Sequence, residues 1–168
     1  SSETADLFMV LIMYRLKKDG RAAVIVPDGF LFGADGAKLA IKSELLKKFN
    51  LHTIIRLPGS IFAPYTSIAT NILFFNNEKA DGAEEGLSTK DIWFYRMDMP
   101  EGYKHFSKTR SMKLEHCQPI IDWWNDRKEI ISEDGDEKSR CFTAQQLLDL
   151  DCNFDQCKFP KDEEEILP

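Results

Sequence analysis

From Ala22 to Val26 the chain reads AAVIV, an unbroken apolar run closed by Pro27 and turned by Gly29. A run this short, with no polar residue alternating through it, has the pattern of a strand covered on both faces, as in a parallel sheet. Helical spacing flanks it. Upstream, ADLFMVLIMYRLK places Leu7, Leu11 and Tyr14, and again Phe8, Ile12 and Leu16, along a broad apolar stripe, with Lys17, Lys18 and Gly20 as a stop signal. Downstream, AKLAIKSELLKKF sets Ile41, Leu45 and Phe49 on one face and lysines on the other. Two more apolar runs follow, HTIIRLP and TNILFFN, joined by IFAPYTSIA. Strands alternating with helices imply a βαβ unit and an open α/β sheet.

Beyond residue 77 the polar segment EKADGAEEGLSTK reads as an exposed excursion before a further strand, DIWFYRM. Residues 98–118 are irregular and basic. Pro119 opens a helix carrying Ile120, Ile121, Trp123 and Trp124, whose tryptophans suit packing against the sheet better than reading a ligand. Thr143 and Gln146 have the spacing of a reciprocal helix cap. We therefore expect three regions: 1–99 as α/β sheet, 100–157 as an extension with short helices, and 158–168 as an acidic linker.

With 168 residues the chain has the length of one domain, and it has no apolar run near the ~20 residues that a membrane span needs. The start, SSETADLF, resembles a cut more than a natural N-terminus, so a fragment is expected. Cys117, Cys141, Cys152 and Cys157 form no CxxC pair, and the histidines complete no zinc spacing, which favours reduced structural thiols and no metal. The net charge of −6 is unevenly placed: residues 1–99 hold 12 basic and 12 acidic side chains, residues 100–168 hold 10 and 16. Acidity overall argues against a surface that attracts nucleic acid everywhere.

In open α/β sheets ligands sit beyond the carboxyl ends of the strands, so Pro27, Asp28 and Gly29 should lie near the loop that carries Phe62, Pro64, Tyr65 and Thr66. Gly29, Gly33 and Gly36 do not have dinucleotide-binding spacing, and Arg56 ends the next strand where an acid would hold a ribose. The sequence also lacks a phosphate-binding P-loop, GxSxG and HExxH. Two readings of Phe62 and Tyr65 remain: caps beneath a strand connection, or faces for stacking on a planar base, worth ~1–3 kcal/mol per base. GYKHFSKTRSMK, with Lys104, Lys108 and Arg110, is either a solvated loop or the lining of a phosphate backbone.

The succession LFMVLIMYRLKKDGRAAVIVPDGFLFG, LLKKFNLHTIIRLPGSIFAPYTSIATNILFFNN and LDLDCNFD resembles the methylase (modification) subunit of type I restriction-modification systems. These are DNA adenine-N6 methyltransferases that use S-adenosylmethionine. The resemblance covers nearly the whole chain and is strongest over residues 5–77. It implies the C-terminal half of a Rossmann-like methyltransferase domain, ending in the HTIIRL and TNILFF pair in antiparallel order. It further implies a flipped adenine as substrate, with Phe62, Pro64, Tyr65 and Thr66 forming one wall of its pocket beside Pro27, Asp28 and Gly29. Expected partners are DNA, a specificity subunit and a restriction subunit, in a prokaryotic cytoplasm.

The family's glycine-rich cofactor loop and Asn-Pro-Pro-Phe tetrapeptide do not occur in this sequence, so no catalytic residue is assigned and the chain alone is expected to be inactive. DMPEGY at residues 98–103 lacks the paired prolines and is no substitute. Without an upstream neighbour, the strand RAAVIV should show an apolar edge, covered by self-association, a swap or a terminal segment. A methylase-like assembly module without chemistry, docking through the Trp helix and acidic tail, is the rival reading. A small-molecule methyltransferase of related fold is a third.

Overall fold

The structure is a computed structural model and describes residues 2–160, with side chains from Thr4 onward. Its elements are α1 (Ser2–Arg15), β1 (Arg21–Pro27), α2 (Asp28–Phe32), α3 (Gly36–Lys48), β2 (Asn50–Arg56), β3 (Thr70–Asn76), β4 (Asp91–Arg96), α4 (Gln118–Asn125), β5 (Ile130–Ile131), β6 (Glu137–Thr143) and α5 (Ala144–Asp149). The cap expected at Thr143 is reciprocal: its Oγ1 accepts from Gln146 N at 3.1 Å, and Gln146 Oε1 accepts from Thr143 N at 2.9 Å. Pro119 stands in the first turn of α4, where its missing N–H costs no helix bond.

One six-stranded sheet runs in the order β1-β3-β2-β4-β6-β5. β3 lies antiparallel between β1 and β2, which therefore run parallel to each other and to β4. The antiparallel HTIIRL and TNILFF pair is present, but the sheet continues past it. β4 is apolar on both faces and pairs with β2 on one side and β6 on the other. Beyond residue 100, β6 and β5 extend the same sheet. Of the acidic linker expected at 158–168, residues 161–168 lie outside the described residues.

Side chains alternate between two apolar clusters. Val26, Ile54, Leu73, Phe75, Ile92 and Phe94 face α1, α3 and α5. Ile55, Tyr95 and Met97 face the other way, toward Phe106 and Trp123. The tryptophans pack as expected: Trp123 is buried, and its indole N–H donates to Ser139 Oγ at 3.0 Å. The excursion before β4 is anchored by buried Leu87 and Thr89. Thr89 Oγ1 accepts from Leu51 N at 2.9 Å and donates to Phe49 O at 2.6 Å.

Three sequence expectations need correction. Among the described residues β1 is covered on one face only: Val24 and Val26 pack inward, whereas Ala23 and Ile25 are exposed because no described element lies over them. It is also an edge strand, and among the described residues no terminal segment pairs with its outer side. The inward residues are Met9, Ile12 and Met13 of α1 and Leu16 just after it, while Leu7, Leu11 and Tyr14 point outward with Phe8 and Val10. Residues 7–14 are apolar all round, and of the expected stripe only Ile12 and Leu16 pack inward.

The lysines of α3 also differ from the expected solvated face. Lys47 and Lys48 are solvated, but Lys38 and Lys42 are buried. Lys38 Nζ donates to Asp6 at 3.0 Å, tying α3 to α1. Lys42 Nζ donates to the carbonyls of Leu31 at 3.0 Å and Gly33 at 2.7 Å, closing the end of α2.

Burial pushes the Lys42 ammonium down from 10.5 to about 8. Below pH 8 both folded and unfolded chains carry the proton. Between about 8 and 10.5 only the unfolded chain does, so the Lys42 contribution to stability is complete above 10.5 and is lost as pH falls through 8. The stability of the wild type relative to Lys42→Met should rise by about 2 kcal/mol between pH ~7 and pH ~10, read from urea unfolding of both proteins. A gap that stays constant would contradict the buried charge.

Candidate base-binding edge

The carboxyl ends of β1, β2 and β4 lie at one edge of the sheet, beside the amino end of β3, with Pro27 opposite Thr70, and Arg56 opposite both Asn71 and Arg96. Asp28 begins α2 at this edge. Its N–H donates to Ala69 O at 3.0 Å, and its Oδ1 accepts from Asn71 Nδ2 at 2.7 Å. The turn of Pro27, Asp28 and Gly29 is therefore fastened to the last residues of the 61–69 loop, as the sheet rule anticipates.

Within that loop, Phe62 O accepts from Tyr65 N at 2.9 Å, and Thr66 Oγ1 accepts from Ile68 N at 3.1 Å. Ile61 packs into the second cluster and holds the loop's stem. Phe62 is half-buried; Pro64 is exposed and Tyr65 is 86% exposed, with Ile68 beside them open to solvent. Large apolar side chains held outward on a packed stem can stack on a planar ligand.

The basic segment meets the same loop. Phe106 is buried, and its N–H donates to Ser60 Oγ at 2.9 Å. Tyr103 packs against Phe106 and His116, and the Arg110 guanidinium lies 3.9 Å over the Tyr103 ring. Lys104, Lys108 and Arg110 are exposed around this aromatic anchor. The structure thus places the turn, the aromatic loop and the basic segment along one margin of the sheet.

Residues that sequence reasoning missed lie under this margin. Arg56 is buried, and its Nη1 donates to the Asp155 carboxylate and, at 2.7 Å, to Lys158 O. Its guanidinium is 4.8 Å from the Phe159 ring centroid. Arg96, alongside it, is bound bidentately by Asp136 at 3.0 and 2.8 Å and by Asp98 at 2.9 and 3.2 Å, and donates to Cys157 O at 3.1 Å. The Asp136 carboxylate holds the Arg96 proton above its ordinary range, and burial pushes the Cys157 thiol up to about 12. An arginine closing an apolar strand was the available signal for both residues.

None of the glycines of the turn adopts the positive φ that would make glycine necessary there. A side chain at Gly33 would meet Lys38 Cδ at 2.3 Å, so protein fills that space, while a Cβ added at Gly29 or Gly36 would meet no atom within 4 Å. Among the described residues no group of His, Cys, Asp and Glu is placed to hold a metal ion, and no helix is long and apolar enough to cross a membrane.

Comparison with known proteins bears on the whole chain. The family model described as N-6 DNA Methylase matches residues 1–165. The methylase subunit of the type I restriction enzyme EcoEI from Escherichia coli is 44% identical over 154 residues, covering 91% of this chain and 30% of that protein. A modification subunit of a putative type I restriction enzyme from Vibrio vulnificus YJ016 superposes with a TM-score of 0.70 at 42% identity, over 86% of this chain and 28% of that one. A structure described as showing complex assembly and conformational transition of the type I restriction-modification system gives 0.73 at 32% identity, over 98% and 34%. The chain therefore spans about a third of the length of these relatives.

The Ser60 bond joins the basic segment to the loop. Ser60→Ala should speed hydrogen exchange of the Phe106 amide at least about tenfold while costing only about 1 kcal/mol of global stability. Unchanged protection at Phe106 would show that the segment is held by other means.

Proposed function

This chain belongs to the N-6 DNA methylase family, as part of a type I restriction-modification methylase subunit, and from that premise we propose that it forms one wall of the base pocket in a longer DNA adenine-N6 methyltransferase. The observation that carries this is the outward display of Tyr65, with Phe62 beneath it, on a loop tied by Ala69 and Asn71 to the Asp28 turn. An adenine drawn out of a duplex loses stacking worth a few kcal/mol, and aromatic faces at ~1–3 kcal/mol each return part of it. Phe62, Pro64, Tyr65 and Thr66 take the base. Pro27, Asp28 and Gly29 form the adjoining corner, and Lys104, Lys108 and Arg110 follow the phosphate backbone.

The methyl donor in this proposal is S-adenosylmethionine, bound mostly by residues outside this chain, as are the groups that act on the adenine amine. What these residues contribute is orientation, which for an in-line transfer supplies much of the rate. The chain on its own is then inactive. The complete protein works with a specificity subunit and, in a restricting system, a nuclease subunit, in the cytoplasm of a prokaryote.

The apolar outer face supports the same view. Leu7, Phe8, Val10, Leu11 and Tyr14 of α1 and Ile25 of β1 are all at least half exposed, near a strand edge that no described residue pairs with. Ile25 lies on the sheet face opposite α1, so apolar side chains are exposed on both sides of this edge, and exposure of that kind marks an interface. We assign it to the remainder of the longer domain, and in the isolated chain to self-association.

Two measurements follow. In the complete protein with its specificity subunit, Phe62→Ala with Tyr65→Ala should lower kcat for adenine methylation in duplex DNA by about 30-fold or more, as loss of stacking at ~1–3 kcal/mol for each of two rings requires. Undiminished methylation would exclude the loop from the pocket. In sedimentation of the isolated chain, dimers or larger species should form, and Leu11→Lys with Ile25→Lys should shift them toward monomer. A wild-type chain that stays monomeric would remove the self-association proposal.

A further inference from the structure

We propose that Arg56 is a positioning residue for the base pocket, held in place by the strap Cys152–Phe159 so that it fixes the Asp28 turn from behind. The inference rests on the base-pocket reading of that turn and adds a control element to it. Arg56 divides its guanidinium between two parts of the chain. On one side Nη1 is engaged by the Asp155 carboxylate and Lys158 O, with Phe159 stacked at 4.8 Å. On the other side Nη2 stands 3.4 Å from Asp28 Oδ1. That contact is an ion pair without hydrogen-bond geometry, for Nε and Nη2 are both buried and make no hydrogen bond.

The strap therefore supplies the directional bonds, and Asp28 supplies only proximity. Asp28 passes the restraint on through Asn71 Nδ2 at 2.7 Å and through its own N–H to Ala69 O at 3.0 Å, the end of the aromatic loop. The strap itself is seated independently. Cys152, Phe154 and Cys157 are buried, Phe154 N donates to Leu31 O at 2.9 Å, and Cys157 O accepts from Arg96. Only about 10 Å³ of space lies beneath it, lined by Arg56, Asn71 and Phe154 among others. No nucleobase fits there, so Arg56 acts through the turn rather than on the base.

Arg56→Met would leave two carboxylates around an uncharged side chain, and such a variant can fail to fold. The strap offers milder substitutions, because Asp155 is partly exposed and Phe159 is exposed. The complete protein with its specificity subunit would be compared as wild type, Asp155→Asn, Phe159→Ala and Asp155→Glu. Misplacement of a pocket wall falls on the transition state more than on binding. Asp155→Asn and Phe159→Ala should therefore lower kcat for DNA methylation about tenfold or more while KM for DNA changes less than about threefold.

Hydrogen exchange of the Asp28 amide should accelerate about tenfold in the same variants, and Asp155→Glu should restore both readouts in large part. An active wild type whose strap variants keep kcat within about twofold, or keep the Asp28 amide protected, overturns the positioning role alone. A wild-type complex that methylates no adenine overturns the base-pocket reading and the positioning role together.

Discussion

A guanidinium is costly to take out of water, and this fold buries two of them side by side. Arg56 and Arg96 occupy paired positions at the ends of the parallel strands β2 and β4. Neighbouring cations of low exposure are tolerable only with carboxylates and carbonyls arranged around them. Asp28, Asp155, Asp98 and Asp136 provide the carboxylates, and Lys158 and Cys157 provide the carbonyls. These partners come from the first turn after β1, from the residues after β4, from the residue before β6 and from the strap after α5. Compensating the two charges thus gathers distant segments at the carboxyl edge. The aromatic loop and the Asp28 corner take their places relative to that cluster.

Much of the architecture was legible because its signals are local. The short apolar runs announced β1, β2 and β3, the proline placed α4, and the Thr143 and Gln146 spacing announced α5. The closeness of the Asp28 turn to the aromatic loop followed from a rule about sheet edges and needed no long-range information. The family resemblance rested on the VPDG turn and the loop between two apolar strands taken together.

What escaped the sequence has a common physical cause: the partner lies far away along the chain. Lys38 and Lys42 read as solvated because a helix face rich in lysine usually is, yet Asp6 and the carbonyls of Leu31 and Gly33 receive them inside. Arg56 read as the wrong residue for a ribose site, and nothing nearby announces Asp155. α1 looked amphipathic from its i, i+4 spacing, but a helix apolar on every side gives no indication of which face the sheet will take. β1 looked doubly covered for the same reason. Its composition suits a strand with layers on both sides, while this chain covers one, and the relatives it matches are about three times as long.

The central claim is that the loop carrying Phe62 and Tyr65 meets an adenine outside the duplex. Photocrosslinking tests it most directly, using the complete protein with its specificity subunit and a DNA duplex bearing 5-iodouracil in place of the target adenine. The account predicts that the crosslink maps to Tyr65 or Phe62 and disappears when the target base is locked within the helix. Crosslinks confined to other segments, with Phe62 and Tyr65 unmodified in an active complex, would contradict it.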